Sequence, residues 1–240
     1  MVGLADAVVW HDVECGGYEA DLALWRELAA EAGGPLLELG CGTGRVALDL
    51  AAHGFDVSAL DSDALLVGAL RERSDGVTAV VADARSFRLD RRFALVVAPM
   101  QVVQLLGGAS GRAAMLATVR SHLRPGGRFA AALADPFEGV PGEQAGPPLP
   151  DVREQDGWVF SSTPVAVRAQ GAGTAIDRLR QAVSPAGELE ESMTSIVLDR
   201  VDAVTLEREA EAAGFAVRAR RQVPATGDYV GSTVVMAEAP

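Results

Sequence analysis

The first half of the chain alternates between short apolar runs and longer stretches whose apolar residues recur at helical spacing. Leu22, Trp25, Leu28 and Ala29 repeat at that spacing and predict an amphipathic helix over roughly 18–31, stopped by Gly33 and Gly34. The apolar run 35–39 comes next, then glycines at 40, 42 and 44, then a helical stretch over 46–52. That is the pattern of a strand, a tight loop and a helix. Gly54 ends the helix, and 55–60 reads as a second strand. A helix over 64–73 leads to a third strand at 77–81. The run 93–99 is apolar almost throughout, as a parallel strand buried on both faces should be, and Pro99 suits its end but not its middle. A helix over 109–123, stopped by Arg124, Pro125, Gly126 and Gly127, precedes a fifth strand at 128–133. Strands alternating with helices predict an α/β fold built on a parallel sheet.

The second half changes register. Residues 135–157 are rich in Pro and Gly and read as a connection leaving the sheet. Three β-like segments come after it, at 158–169, 173–183 and 188–199, with no helical pattern between them. Ser184, Pro185, Ala186 and Gly187 supply a hairpin turn between the last two, so the group is expected to be an antiparallel insertion. Asp202 then caps a helix whose Leu206, Ala210 and Ala213 face inward and which Gly214 ends. Two further strands, 215–223 and 232–238, rejoin the sheet. The expected divisions are an N-terminal helical arm (1–32), a core (33–135), a linker with the β insertion (136–201) and the C-terminal part of the core sheet (202–240). Ahead of the first predicted helix, residues 10–18 combine aromatic and polar groups with two flexible glycines, Gly16 and Gly17. They form either a packed arm or a lid over a site.

Composition narrows the chemistry. The chain has 240 residues, enough for one domain with an elaboration, and a formal net charge of -12. A nucleic-acid binder usually shows a basic stripe; here Arg218, Arg220 and Arg221 form only a small cluster, expected on one exposed strand. All 21 basic residues are Arg, and Lys and Asn do not occur. Without lysine there is no Schiff-base anchor for pyridoxal chemistry and no Tyr–Lys catalytic pair. Two cysteines, Cys15 and Cys41, make no disulfide framework, and Cys41 occupies a place where a small residue fits. The three histidines are far apart, so no metal site is expected; His53 and His122 are read as surface residues. No apolar run reaches membrane-spanning length and the N-terminus has no basic region followed by an apolar core, so no membrane partner and a cytoplasmic location are expected.

The glycine loop carries the most specific signal. Glycine lets the backbone turn sharply and lets a ligand come close, and the helix behind it offers unpaired N–H groups. The spacing 40, 42, 44 with Arg45 departs from the dinucleotide fingerprint, which wants a small residue for close helix packing. The string Glu38, Leu39, Gly40, Cys41, Gly42, Thr43, Gly44, Arg45 closely resembles motif I of the class I S-adenosylmethionine (SAM) dependent methyltransferases. Asp61 ends the second strand, where an acidic residue can accept from both ribose hydroxyls, or can begin the next helix as a cap. Asp83 resembles the family's acidic residue that meets the adenine amino group, with the Ala84 N–H serving the ring; otherwise it is a turn residue. The Leu123 to Gly127 stretch before strand five is a further resemblance.

The resemblance covers about 33–134, with a compatible end from 202. It implies a Rossmann-like seven-stranded sheet, helices on both faces, in the order 3-2-1-4-5-7-6 with the last strand antiparallel. It implies SAM as cofactor, held by Glu38, Gly40, Cys41, Gly42, Thr43, Gly44, Arg45, Asp61, Ser62, Asp83, Ala84, Pro99 and Gln101. Gln101 lies just past strand four, at the edge where open α/β sheets bind ligands. Tyr18 is expected at the cofactor or the acceptor, and His11 is the candidate base should the nucleophile need to lose a proton. The reaction implied is methyl transfer to an N or O nucleophile of a small molecule, with the insertion acting as a substrate lid or a homodimer contact. The rival readings are a SAM-binding protein without methyl transfer and a nicotinamide oxidoreductase.

Overall fold

The computed structural model describes residues 7–134, 149–226 and 229–240. Two helices come first, α1 (Ala7–Cys15) and α2 (Leu22–Ala32). Then β1 (Leu36–Leu39), α3 (Arg45–Ala52), β2 (Val57–Asp61), α4 (Ala64–Arg73), β3 (Val77–Val81) and β4 (Phe93–Ala98) alternate. A 3-10 turn (Val102–Leu105), α5 (Ala109–His122) and β5 (Leu123–Leu133) complete the parallel part. Four strands come after it, β6 (Asp151–Gln155), β7 (Trp158–Gln170), β8 (Gly173–Val183) and β9 (Leu189–Asp199). The chain closes with α6 (Ala203–Ala212), β10 (Ala216–Val223) and β11 (Ser232–Glu238).

Seven strands form the main sheet, in the order β3-β2-β1-β4-β5-β11-β10. The first five run parallel, while β11 pairs antiparallel with both β5 and β10. This is the order the resemblance implied. Every residue of β1 and β4 is buried, which explains why neither shows alternation in sequence. One face of the sheet is covered with Trp25, Leu28, Leu50, Val67 and Leu70 from α2, α3 and α4. The other is covered with Met115, Leu116 and Val119 from α5 and Leu206 and Ala210 from α6. Burying large apolar side chains is worth about 1.5–3 kcal/mol each, so these two layers dominate the stability of the fold.

The second sheet is antiparallel, in the order β6-β7-β8-β9. Its first strand, β6, falls within the stretch expected to be a linker; its pattern is exposed and polar, so it gives no apolar alternation to detect. Residues 135–148 of that Pro- and Gly-rich connection lie outside the described residues. Helix α1 is the other element the sequence pattern did not show. It buries Trp10, Asp12 and Val13, and a buried Asp breaks the apolar stripe that would have marked a helix. Trp10 packs edge-on against Phe160, centroids 5.6 Å apart, which joins α1 to β7.

The histidine at the end of α5 departs from expectation. His122 is buried and packs tilted against Phe87 with centroids 4.4 Å apart. Its Nε2 accepts from the Leu89 N–H at 3.1 Å, and its Nδ1 lies 2.8 Å from the Thr118 carbonyl oxygen. It fastens the β3–β4 connection to the helix rather than facing solvent. His53 is exposed, as expected. Arg218, Arg220 and Arg221 on β10 each pair with a glutamate: Glu238, Glu207 and Glu27. No helix among the described residues is long and apolar enough to cross a membrane, and none of their His, Cys, Asp and Glu groups is arranged to hold a metal.

Candidate active site

The carboxyl ends of β1 to β4 open into a cleft of about 560 Å³. The loop after β1 floors it. Gly40 and Gly42 have φ of 64° and 53°, in the left-handed region that favours glycine. A Cβ on Gly40 would stand 2.5 Å from Val102 Cγ2, so the 3-10 turn after β4 can approach only because Gly40 has no side chain. Just before that turn, Met100 has φ of 54°, a strained conformation for a side chain of its size, and it lines the cleft. The turn is pinned from behind: buried Gln104 donates to the Ala134 carbonyl at 3.0 Å and accepts from the Ala134 N–H at 3.2 Å.

Most of the residues proposed from sequence meet around this one opening. Glu38, Gly40, Cys41, Arg45, Asp61, Ser62, Asp83, Ala84, Pro99, Gln101 and His11 all line it. Glu38, at the end of β1, is 3% exposed and its Oε2 has no hydrogen-bond partner. Burial pushes its carboxyl up to about 8, against the pull of Arg45 and the Ala47 N–H. Arg45 opens α3 and is held by Asp21, Nη1 to Oδ1 at 2.6 Å and Nη2 to Oδ2 at 2.9 Å. Burial opposes its charge, but the Asp21 carboxylate prevails and raises its pKa. The Cys41 thiol is buried and its pKa is raised by that burial, so it is an inert small residue of the loop.

Asp61 organises the next two elements. Its Oδ2 accepts from the Gly42 N–H at 2.9 Å and its Oδ1 from the Asp63 N–H at 3.0 Å. The helix cap is Asp63, whose Oδ1 accepts from Leu65 and Leu66. Asp61 is thereby free of capping duty and lines the cleft. Asp83 is engaged by Arg85, Nη2 to Oδ2 at 2.6 Å, and this hydrogen bond holds its carboxyl below the usual range. Arg85 also lines the cleft and was not singled out in sequence.

The remaining candidates sit elsewhere. Gly42, Thr43 and Gly44 shape the loop from behind the lining. The expected ligand contact of Tyr18 is corrected by its placement. Its side chain is 5% exposed, packed against Tyr229 at 5.1 Å, and it is not part of the cleft lining. Its carbonyl oxygen accepts from Arg45 Nη1 at 2.6 Å, and the guanidinium lies 5.1 Å from its ring centroid. Tyr18 supports Arg45, and apolar packing drew it inward because the chain turns between α1 and α2 at this point.

Above the floor lies α1. Thr43 Oγ1 donates to Asp12 Oδ1 at 2.7 Å, so at 3.2 Å it accepts from the Nδ1–H of His11. That pattern assigns the hydrogen to Nδ1 and leaves a lone pair on Nε2. A Cβ on Gly42 would lie 2.1 Å from that Nε2, which places the imidazole against the glycine loop. Burial lowers the His11 pKa despite Asp61 and Asp12 nearby. Asp12 is itself gripped by Arg73 of α4, Nη2 to Oδ2 at 2.6 Å. On its other side α1 reaches the insertion, where Glu14 Oε1 accepts from Arg180 Nε at 2.7 Å and from buried Ser162 at 2.7 Å. Glu14, Arg180 and Ile196 also line the cleft. Glu14 and Arg180 come from elements far apart in sequence, and no pattern in the chain signals their pairing.

The comparisons with known proteins agree with this fold. Residues 36–127 match the model of a methyltransferase domain family. No curated protein matches the sequence. Among solved structures, DesVI of Streptomyces venezuelae superposes with a TM-score of 0.76, at 22% identity over 97% of this chain and 98% of that one. SAM-bound CalS10 from Micromonospora echinaspora, an amino pentose methyltransferase of calicheamicin biosynthesis, matches with a TM-score of 0.74 at 22% identity over 100% of both chains. The glycopeptide N-methyltransferase MtfA in complex with SAM matches with a TM-score of 0.64 at 25% identity, over 91% of this chain and 87% of that one.

Proposed function

We propose, from the premise that this chain carries a methyltransferase domain on the class I SAM-dependent fold, that it moves a methyl group from SAM to an N or O nucleophile of a small molecule. The observation that carries the reading is the buried, unpartnered Oε2 of Glu38 beside Asp61 and Asp83 in one cleft. A carboxyl oxygen sealed from water without a hydrogen-bond partner costs free energy until a ligand supplies a donor. The ammonium of the methionine moiety is such a donor. Asp61 keeps lone pairs for the ribose hydroxyls, Asp83 and the Ala84 N–H suit adenine, and Arg45, held by Asp21, fixes the start of α3 beside the cofactor.

SAM supplies an electrophilic methyl on a sulfonium, already a good leaving group. The protein's share is therefore chiefly to orient and to exclude water. Well-oriented reactants can gain roughly 7–11 kcal/mol. Val102, Met100 and Gln101 form the wall past β4 where the acceptor approaches. Helix α1 closes the opposite side and, through Glu14 and Trp10, ties that closure to the insertion, so the arm and the insertion act together as a lid. His11 with a lone pair on Nε2 can accept a proton or a hydroxyl hydrogen. Its place against the glycine loop suits the ribose side of the cleft better than the methyl side. We place the enzyme in the cytoplasm, and the exposed Val159, Leu189 and Met193 on the insertion support its second use as a homodimer contact.

Calorimetry with SAM, S-adenosylhomocysteine (SAH) and NAD tests the reading. SAM and SAH are expected to bind and NAD is not. Binding of NAD with none of SAM would overturn it.

A further inference from the structure

Resting on that reading, the way charges are distributed in the cleft says what kind of acceptor can enter. Three guanidinium groups line it, and each is already committed to a carboxylate. Arg45 is held by Asp21, Arg85 by Asp83 and Arg180 by Glu14. On the insertion side the pair is reinforced by its neighbours. Arg180 bonds Glu14 through both Nε and Nη2, at 2.7 and 2.9 Å, and its Cζ lies 5.1 Å from the Trp10 ring centroid. Glu14 takes a further hydrogen bond from Ser162 and has Arg178 3.6 Å away, itself paired with Asp151.

Against these, Asp61 also lines the cleft and forms no ion pair among the described residues, while Glu38 keeps its proton until a cation meets it. Residues 1–6, 135–148 and 227–228 contain no Arg, and the chain has no Lys. They contain Asp6, Asp135, Glu138, Glu143 and Asp228 instead. A phosphate group entering this cleft would therefore meet, among the described lining residues, no guanidinium without a carboxylate partner, and would face the Asp61 carboxylate. Pulling Arg180 away to meet it would leave Glu14 half-buried and deprived of its closest partner, which is costly.

We infer that the acceptor enters as an uncharged or amine-bearing molecule free of phosphate, and that the Glu14–Arg180 pair enforces this by keeping the acceptor-side guanidinium occupied. Selectivity of this kind comes from the interaction withheld from the wrong ligand. An acceptor linked to a nucleoside diphosphate is rejected, whereas an amine meets a complementary field.

The test uses the full-length protein saturated with SAH, whose binding is measured first. Failure of SAH to bind the wild type would refute the proposed function itself, independently of any result with phosphate. Pyrophosphate and uridine diphosphate are then titrated into the SAH complex of the wild type and of Glu14→Gln. The wild type is expected to show no saturable binding of either at millimolar concentration. Glu14→Gln, which releases Arg180, is expected to bind both about tenfold more tightly than the wild type, or better. Saturable wild-type binding that Arg180→Gln abolishes would overturn the inference. Equal rejection by the wild type and by a folded Glu14→Gln would overturn the role given to the pair. Should Glu14→Gln fail to fold, the wild-type titration, with Arg180→Gln beside it, still decides whether the cleft accepts phosphate.

Discussion

The main sheet and the insertion sheet bury themselves in different ways. The inner strands β1 and β4 are buried along their whole length between two layers of helices. The insertion sheet leaves Leu189, Met193 and Val197 exposed, at 55%, 61% and 40%, and is tied to the rest through α1 by ion pairs and a few aromatic contacts. The half of the cleft proposed to hold the cofactor is accordingly made by backbone: positive-φ glycines, a strained Met100 and N–H groups fixed by Asp61. The half proposed to receive the acceptor is made by side chains that grip one another. A site shaped by backbone is hard to alter without losing it. A site shaped by paired side chains can be retuned one residue at a time.

On that contrast, the largest effect belongs to the glycine loop. Gly42→Val adds a Cβ where His11 Nε2 already sits, at a φ that disfavours β-branched residues. SAM binding is expected to be lost, as read in calorimetry. Next comes the removal of residues 1–17, which takes away α1 with His11, Asp12 and Glu14. Turnover is expected to vanish while the main sheet still folds, and full activity in the truncated protein would return the arm to ordinary packing. Asp61→Ala ranks third. It loses charge-assisted hydrogen bonds worth about 1.5–3 kcal/mol each, so SAM affinity should fall by about tenfold or more.

Glu38 sharpens the comparison through pH. Its folded pKa, about 8, exceeds its ordinary value of 4.5, so the folded chain holds this proton more firmly than the unfolded one. Its contribution is full below pH 4.5 and is lost as pH rises through about 8. Thermal unfolding of the ligand-free protein between about pH 5 and 8.5 should show that decline on top of other groups, and Glu38→Gln should flatten it. An ammonium brought beside Glu38 would expel the proton, so SAM binding below about pH 8 should release it into the buffer. The smallest effect is expected from Tyr18→Phe. Its hydroxyl is buried away from the cleft, with at most a weak contact to Ser232, so removing it should change SAM affinity by less than about twofold and cost little stability.

What was legible in the chain divides along the same line. Continuous apolar runs and the 40, 42, 44 glycines announced the parallel strands and their loop, because burial on both faces leaves an unbroken apolar signature. Asp61 and Asp83 could be placed because strand ends dictate their position. Helix α1 was hidden because its buried Asp12 is satisfied by Arg73, a partner no local pattern reveals. Strand β6 was hidden by its exposure. Glu14, Arg85 and Arg180 went unnoticed as cleft residues because their meaning lies in pairing, and pairing across distant elements is a property of the fold. Tyr18 and His122 were misplaced for one shared reason: polar tips do not prevent a ring from being drawn into a core.

The most direct test is the structure of the protein with SAH bound. The amino group of the ligand is expected to meet Glu38, the ribose hydroxyls Asp61, and adenine Asp83 and Ala84, with the sulfur facing the wall formed by Met100 and Gln101. A ligand bound away from Glu38 and Asp61, or with its sulfur turned from Met100 and Gln101, would contradict this assignment of the cleft.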